Sequence, residues 1–297
     1  MLTIEDFVVV VYCLIDDVVT ALQRRVRLRS RGFAPALRDS EVLTMVVVGE
    51  LLGIDTDEQI WEYFRRHWRA WFPTLGSRSQ FVRQAANRWR VRQLVHHGLA
   101  TVLGAWDDDV HVVDGVPMPL CELTRAARCK RFRGLAATSY CAAKGQYYFG
   151  LKGHVLITAC GVITAITVTP ANTDERDAAW DLVDGVVGLL LGDKGYISQF
   201  FRAGLRPGAI QLETPLRRNM KDPRPPAQIG VLMTVRRRIE TVIGPLTERL
   251  HLATVRARDV FHLTGRVART VLAHTLGVFI NRQLGQEPLQ FDGLLAA

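Results

Sequence analysis

The sequence predicts an α/β protein, a mixed five-stranded sheet with flanking helices preceded by an α-helical N-terminal domain. Three observations predict it. Apolar residues recur at helical spacing up to about Leu99. After Trp106 the pattern changes to period-two alternation and short apolar runs. Two of those runs end in an acid beside glycine: Asp114 in His111-Val112-Val113-Asp114-Gly115, and Asp193 in Leu189-Leu190-Leu191-Gly192-Asp193-Lys194-Gly195.

The helical part is built element by element. Phe7, Val10, Val11, Leu14, Val18 and Leu22 make one apolar face. A second helix opens at Asp39 or Ser40, with Ser40 as its N-cap and Leu43, Val47, Leu51 and Leu52 on one side. Thr56-Asp57 opens a third through Ile60, Trp61, Phe64 and Trp68, closed by Pro73 and Gly76. Ser79 to Leu99 supplies one or two more. Trp61, Trp68 and Trp71 are read as core fillers. Residues 1–104 form the first expected domain and residues 105–297 the second.

In the second domain, Val110 to Val113 is a strand, and Tyr147 to Thr158 with Gly161 to Thr169 a hairpin about Ala159-Cys160-Gly161. Asn172-Thr173-Asp174-Glu175 starts a helix through Ala178, Leu182 and Val186. Gly188 to Leu191 is a buried strand, Ile210 to Glu213 a short one, and Pro215 to Pro226 a basic loop. The next helix has Leu232, Val235, Ile239, Val242 and Ile243 inside. Gly244-Pro245 should end or kink it, because proline has no backbone N–H to donate. A last amphipathic helix runs from about His262 to Leu284. Strand, hairpin, helix, strand, helical connection, strand, helix is the element order of an RNase H-like core. The first acid lies on the first strand, the second after the fourth, and Glu240 on the helix after the fifth.

Composition narrows the function. At 48% hydrophobic and 23% charged residues the chain can bury a real core. Lys and Arg outnumber Asp and Glu by 38 to 29, a net charge of +9 that draws the protein toward polyanions. The apolar stretches Phe7 to Leu22 and Val42 to Leu52 carry Asp16, Asp17 and Glu50 and fall short of the roughly 20 apolar residues a membrane span needs. No secretory signal opens the chain. Five cysteines without a C-x-x-C pair fit reduced thiols in a cytoplasm and exclude a zinc ribbon.

Carboxylates at the ends of packed strands, with a third on a helix, suit divalent cations held for phosphoryl chemistry. Asp114 and Asp193 would flank the metals and Glu240 complete the shell. Gly115, Gly192 and Gly195 would let a nucleic acid backbone approach closely. Arg125, Arg128, Lys130, Arg131 and Arg133 follow Asp114, and Arg217, Arg218, Lys221 and Arg224 precede the Glu240 helix. Both clusters are candidate phosphate tracks, as are Lys194, Arg236 and Arg237. Arg24, Arg25, Arg27, Arg29 and Arg31 are either a solvated helix end or a further track. Basic helical segments make residues 1–104 a candidate DNA-binding region, in which a helix-turn-helix could form. No His-apolar-His pair supports a tyrosine-nucleophile recombinase, and no G-x-x-x-x-G-K-[ST] loop supports nucleotide hydrolysis.

Asp114-Gly115-Val116-Pro117, Tyr147-Tyr148-Phe149-Gly150-Leu151-Lys152-Gly153-His154, Gly192-Asp193-Lys194-Gly195-Tyr196 and Arg236-x-x-x-Glu240 resemble the blocks of bacterial insertion-sequence transposases of the DDE type. The lead-in, with Asp39-Ser40-Glu41-Val42-Leu43-Thr44 and Ser77-Arg78-Ser79-Gln80-Phe81-Val82-Arg83, most resembles insertion-sequence family 982. The resemblance implies that Asp114, Asp193 and Glu240 are the catalytic triad and hold two Mg²⁺ or Mn²⁺ ions. It makes Lys152 and His154 a polar pair facing the site and Arg236 a DNA-backbone contact. It also implies double-stranded DNA as partner (terminal inverted repeats and target), a homodimer on paired ends, and a place in the bacterial cytoplasm on the nucleoid. Met233 and Thr247 stand where the related signature has Tyr and Lys, so end contacts made by those residues do not transfer. Two alternatives share the residues: an RNase H-like nuclease without strand transfer, and a domesticated protein that only binds DNA.

Overall fold

The computed structural model describes residues 2–29 and 35–294, so Arg31 of the N-terminal arginine run lies outside the described residues. Among these residues five helices come first: α1 (Ile4–Gln23), α2 (Asp39–Leu51), α3 (Asp57–His67), α4 (Arg78–Asn87) and α5 (Trp89–Val102). The mixed part follows with β1 (Val110–Glu122), β2 (Ala137–Cys141), β3 (Gln146–Thr158), β4 (Ile163–Pro170), α6 (Glu175–Ala179), β5 (Gly188–Leu191), α7 (Gln199–Leu205) and β6 (Ile210–Glu213). Helices α8 (Pro226–Arg236), α9 (Arg238–Glu248) and α10 (Val260–Gln283) come last. None of the described helices is long and apolar enough to cross a membrane.

Contacts divide the chain into two compact units: Met1–Leu103 with Glu248–Leu252 and Ala257–Ala297, and Gly104–Thr247 with Ala253–Arg256. Helix α10, which element order assigns to the second domain, therefore falls in the unit of α1–α5 and packs on α5 and α2. In this unit α1 buries Phe7, Val8, Val11, Ile15 and Val19, a stripe turned slightly from the predicted Val10, Leu14, Val18 one. α2 and most of α10 are buried on all sides, not on one face as their sequences predict. A helix enclosed all round must satisfy its polar groups internally. Arg269 does so by pairing with Glu50 at 2.6 Å and Asp57 at 2.5 Å, while Thr270 donates to Glu50 at 2.6 Å. Ser40, expected as an N-cap, donates instead to Asp16, and Arg38 takes the cap position. Trp68 is buried as expected, whereas Trp71 is exposed.

The second unit is built on a mixed sheet of six strands among the described residues, in the order β2-β3-β1-β5-β6, with β4 also paired to β3. β2 occupies β3 along residues 146–150 and β4 along 151–157, so the two share one edge of that long strand. β1, β3 and β4 pair antiparallel, and β5 and β6 run parallel to β1. The sixth strand, β2, is absent from the five-stranded expectation because Ala-Thr-Ser-Tyr-Cys is short and polar. β1 also runs past Val113 through Pro117 and Pro119, with a bulge between Pro119 and Cys121 where the ladder shifts register.

Val113, Leu156, Leu190 and Leu212 from the sheet bury against Ala179, Leu182, Phe201 and Leu205. Each large apolar side chain so enclosed contributes about 1.5–3 kcal/mol, which fixes β1 at Val113 and β5 at Leu190 firmly. α6 stops at Ala179, short of the expected Val186. The helical break also moves: α9 continues through Pro245, and the interruption falls at Arg237. Buried Ile239, Val242 and Leu246 anchor α9 on either side of the proline.

Candidate active site

β1 and β5 are parallel with Val112 opposite Leu191, so Asp114, still within β1, and Asp193, just past the end of β5, each lie two residues further on along neighbouring strands. The Asp114 Oδ1 accepts the Gly115 N–H at 2.7 Å. The Asp193 Oδ1 accepts the Gly195 N–H at 2.6 Å and so caps the 3-10 turn Lys194–Tyr196. In each case the following glycine fixes one carboxylate oxygen. Gly192 has its own reason to be glycine, since a Cβ there would meet the buried Tyr196 ring at 2.7 Å.

The two aspartates share an electrostatic neighbourhood. Burial pushes the Asp114 carboxyl up to about 6, and Asp193 and Glu175 add to the rise against the Gly115 N–H and Arg236. Burial also raises Asp193, followed by Glu175, with the Gly195 N–H, Arg236 and Lys152 opposing. Glu175, which sequence reasoning used only to start a helix, belongs to the same neighbourhood. Its Oε1 lies 3.0 Å from the Lys152 Nζ. A Cβ on Gly115 would come within 3.1 Å of Oε1, and one on Gly195 within 2.5 Å of Oε2. The β4 strand ends at Pro170 opposite Leu151, and the turn that follows brings Glu175 back beside Lys152.

Glu240 is placed differently. It stands on α9 with an exposed side chain, accepting from the Arg236 Nη2 at 3.0 Å. Arg236 lies in the field of Asp114 and Asp193, so Glu240 is linked to the pair through that guanidinium. Among the described residues no three His, Cys, Asp or Glu side chains gather closely enough to hold a metal ion by themselves.

The predicted DNA contacts separate into three groups. Arg125, Arg128, Lys130, Lys194, Arg217, Arg218 and Arg237 are exposed, while Lys152 and Arg236 are half-buried at the centre. His154 is not a surface contact. It is fully buried on β3, its Nε2 lies 2.9 Å from the Thr169 Oγ1, and burial brings its pKa down to about 4. Arg131 is likewise committed inside, donating to the Val255 carbonyl at 2.8 Å and the Leu120 carbonyl at 2.5 Å. Arg224 ties its loop to Glu213, Asp222 and the Thr214 carbonyl.

Comparison with known proteins follows the same residues. No curated protein matches the chain. A cryo-EM structure of a piggyBac transposase synaptic complex with hairpin DNA is similar over 95% of this chain and 75% of that one, at 9% identity and a TM-score of 0.48. The family model for the transposase DDE domain matches residues 105–260, a span that begins just before β1 and takes in Asp114, Asp193 and Glu240. With more than half of its length matched to that model, the chain belongs to the DDE transposases.

Proposed function

We propose that this transposase cleaves DNA at the ends of its element and joins the resulting 3′-OH to target DNA, at a centre formed by Asp114, Asp193 and Glu240. The observation that carries the reading is the pair of aspartates on adjacent parallel strands, with Arg236 in the field of both and bonded to Glu240. An RNase H-like core is supported by antiparallel β1, β3 and β4 followed by β5 and β6 parallel to β1. The blocks around Asp39 and Ser77 favour insertion-sequence family 982 within the wider family. Helical residues 1–104 would bind DNA, residues 105–297 would supply catalysis, and two copies would hold paired ends.

The donor set fits two Mg²⁺ or Mn²⁺ ions. Asp114 within β1 and Asp193 just after β5 offer hard carboxylate oxygens on a packed sheet, each with one oxygen set by a glycine N–H. Mg²⁺ is commonly held by one or two carboxylates together with substrate phosphate and water, so a closed cage of protein ligands is not required. When bound, such ions would activate the attacking oxygen and stabilise the leaving oxygen of a phosphodiester. The chain's own part is positioning. The glycine N–H bonds fix the aspartates, and the packed sheet beneath them keeps that geometry. Arg236 presents guanidinium donors beside the pair, where a phosphate can be held by charge and direction together.

Asp114→Asn and Asp193→Asn each remove a charged ligand without changing side-chain volume. Both should abolish cleavage of DNA carrying the element's ends while leaving end binding in a mobility-shift assay little changed, and Glu240→Gln should do the same. Cleavage near the wild-type rate by either aspartate variant would contradict the assignment.

A further inference from the structure

We propose that Glu175 is a cation-binding carboxylate of the catalytic centre, and that Lys152 is the counter-ion a divalent cation displaces from it. This rests on reading Asp114 and Asp193 as metal ligands and adds to that site a residue outside the three acids.

Placement is the first argument. Glu175 is wedged between the two glycines that follow the catalytic aspartates, with Oε1 toward Gly115 and Oε2 toward Gly195. The point a Gly195 Cβ would occupy is 2.5 Å from the Glu175 Oε2 and 2.9 Å from the Asp193 Oδ1, so an oxygen of each carboxylate lies close against the bare Cα of Gly195. Glu240, by contrast, is exposed and bonded to Arg236. Of the acids after β4, Asp174 is not available in the same way, since it is engaged by Arg176 through its side chain and backbone.

A second, independent observation is the Tyr196 hydroxyl. It is fully buried and has no hydrogen-bond partner among the described residues. It sits in the field of Glu175 first, then of Asp114, Asp193 and Asp174. A buried polar atom of this kind needs a partner, and an ordered ligand or its water supplies one. Charge points the same way. Asp114, Asp193, Glu175 and Glu240 are opposed locally by Lys152 and Arg236, an excess of negative charge equal to one divalent cation. Lys152 is bonded to Glu175 alone among these acids, at 3.0 Å, so a cation that binds Glu175 competes directly with its ammonium. The displaced ammonium would then stand beside the cleft, where it can meet a phosphate.

The test is Mn²⁺ titration of the full-length protein without DNA, by calorimetry or by the electron paramagnetic resonance signal of unbound Mn²⁺, with single-turnover cleavage measured alongside. Glu175→Gln keeps the shape and a Lys152 acceptor but removes the charge. It should weaken Mn²⁺ binding about 10- to 100-fold and slow cleavage with it. Lys152→Met removes the competitor and should tighten Mn²⁺ binding, whereas a pair with a purely structural role would give no tightening. Wild-type Mn²⁺ affinity in Glu175→Gln overturns the proposal. Should Glu175→Gln lose cooperative unfolding, Lys152→Met decides: tighter binding upholds the proposal, and unchanged or weaker binding overturns it. Asp114→Asn separates the two levels. If that variant binds Mn²⁺ as tightly as wild type, the catalytic centre itself is misassigned, whatever Glu175 does.

Discussion

Gly195 shows how much of this site depends on what is missing from a side chain. Its N–H fixes Asp193 at 2.6 Å, and a Cβ would press on Glu175 and Asp193 at once. The crowded atoms are the far ends of flexible side chains, which can swing aside at little cost to folding. They cannot do so without leaving their places in the centre. Gly195→Ala should therefore leave the thermal midpoint almost unchanged and lower the single-turnover cleavage rate about 100-fold, the usual scale for misplacing reacting groups by about 1 Å. Normal cleavage by this variant would show that the carboxylate arrangement around Gly195 is not used. At this scale the sequence was informative for Asp114 and Asp193, because an acid ending an apolar run beside glycine is a local pattern. It was silent on Glu175, whose neighbours Gly115, Lys152 and Gly195 come together only when the hairpin folds back on β1. It was misleading for His154 and Arg131, since a polar residue in a motif does not announce whether it will be enclosed.

Among the elements, the contact of α5 with α10 carries a pH dependence. His274 is enclosed on α10, where burial depresses its pKa to about 3 with His96 adding to the effect. His96 on α5 is depressed to about 4 by burial and then by His97, and its Nδ1 lies 2.9 Å from the Thr275 Oγ1. Both rings stay neutral in the folded unit while the unfolded chain takes up protons near the ordinary value of 6.5. Their stabilising effect is thus complete above pH 6.5 and is lost as pH falls from there toward the folded values. Denaturant unfolding at pH 7 and pH 5 should show a loss of up to about 1.4 kcal/mol per pH unit for each histidine, and a His96→Gln, His274→Gln double variant should flatten that slope. An unaltered slope in the double variant would place the acid sensitivity elsewhere. The enclosure itself was hidden in the sequence. α10 reads as one-sided from its own pattern, and only packing against α5 and α2 closes its other faces. The same limit explains α9, where Pro245 looks like a stop until Ile239, Val242 and Leu246 are seen buried on one side.

For the molecule as a whole, the net charge of +9 is directed at a polyanion, and the structure sorts which basic residues can meet it. Arg125, Arg128 and Lys130 are exposed on and just after the 3-10 helix Leu123–Arg128, whereas the guanidinium of Arg131 is spent on two carbonyls. Neutralising the first three together should reduce the slope of log affinity against log salt by about two to three units, since each phosphate contact releases counterions. Arg131→Ala should instead lower stability and leave the slope alone. A salt slope unchanged in the triple variant would return that cluster to ordinary solvated surface.

Strand transfer at Asp114 and Asp193, and not hydrolysis alone, is what sets a transposase apart from a plain nuclease. The same oxygen position serves water and a DNA 3′-OH, so what distinguishes the two outcomes is whether the cleaved end stays bound in line with a second duplex. Arg217, Arg218, Arg236 and Arg237 are the residues proposed to hold that duplex. The most direct measurement incubates pre-cleaved end DNA with a supercoiled plasmid, Mg²⁺ and the full-length protein. Strand transfer should give covalently joined end–plasmid products that require the end sequence and vanish in Asp193→Asn. Nicked or linear plasmid without joined ends, from protein that is active in cleaving its own ends, would contradict it.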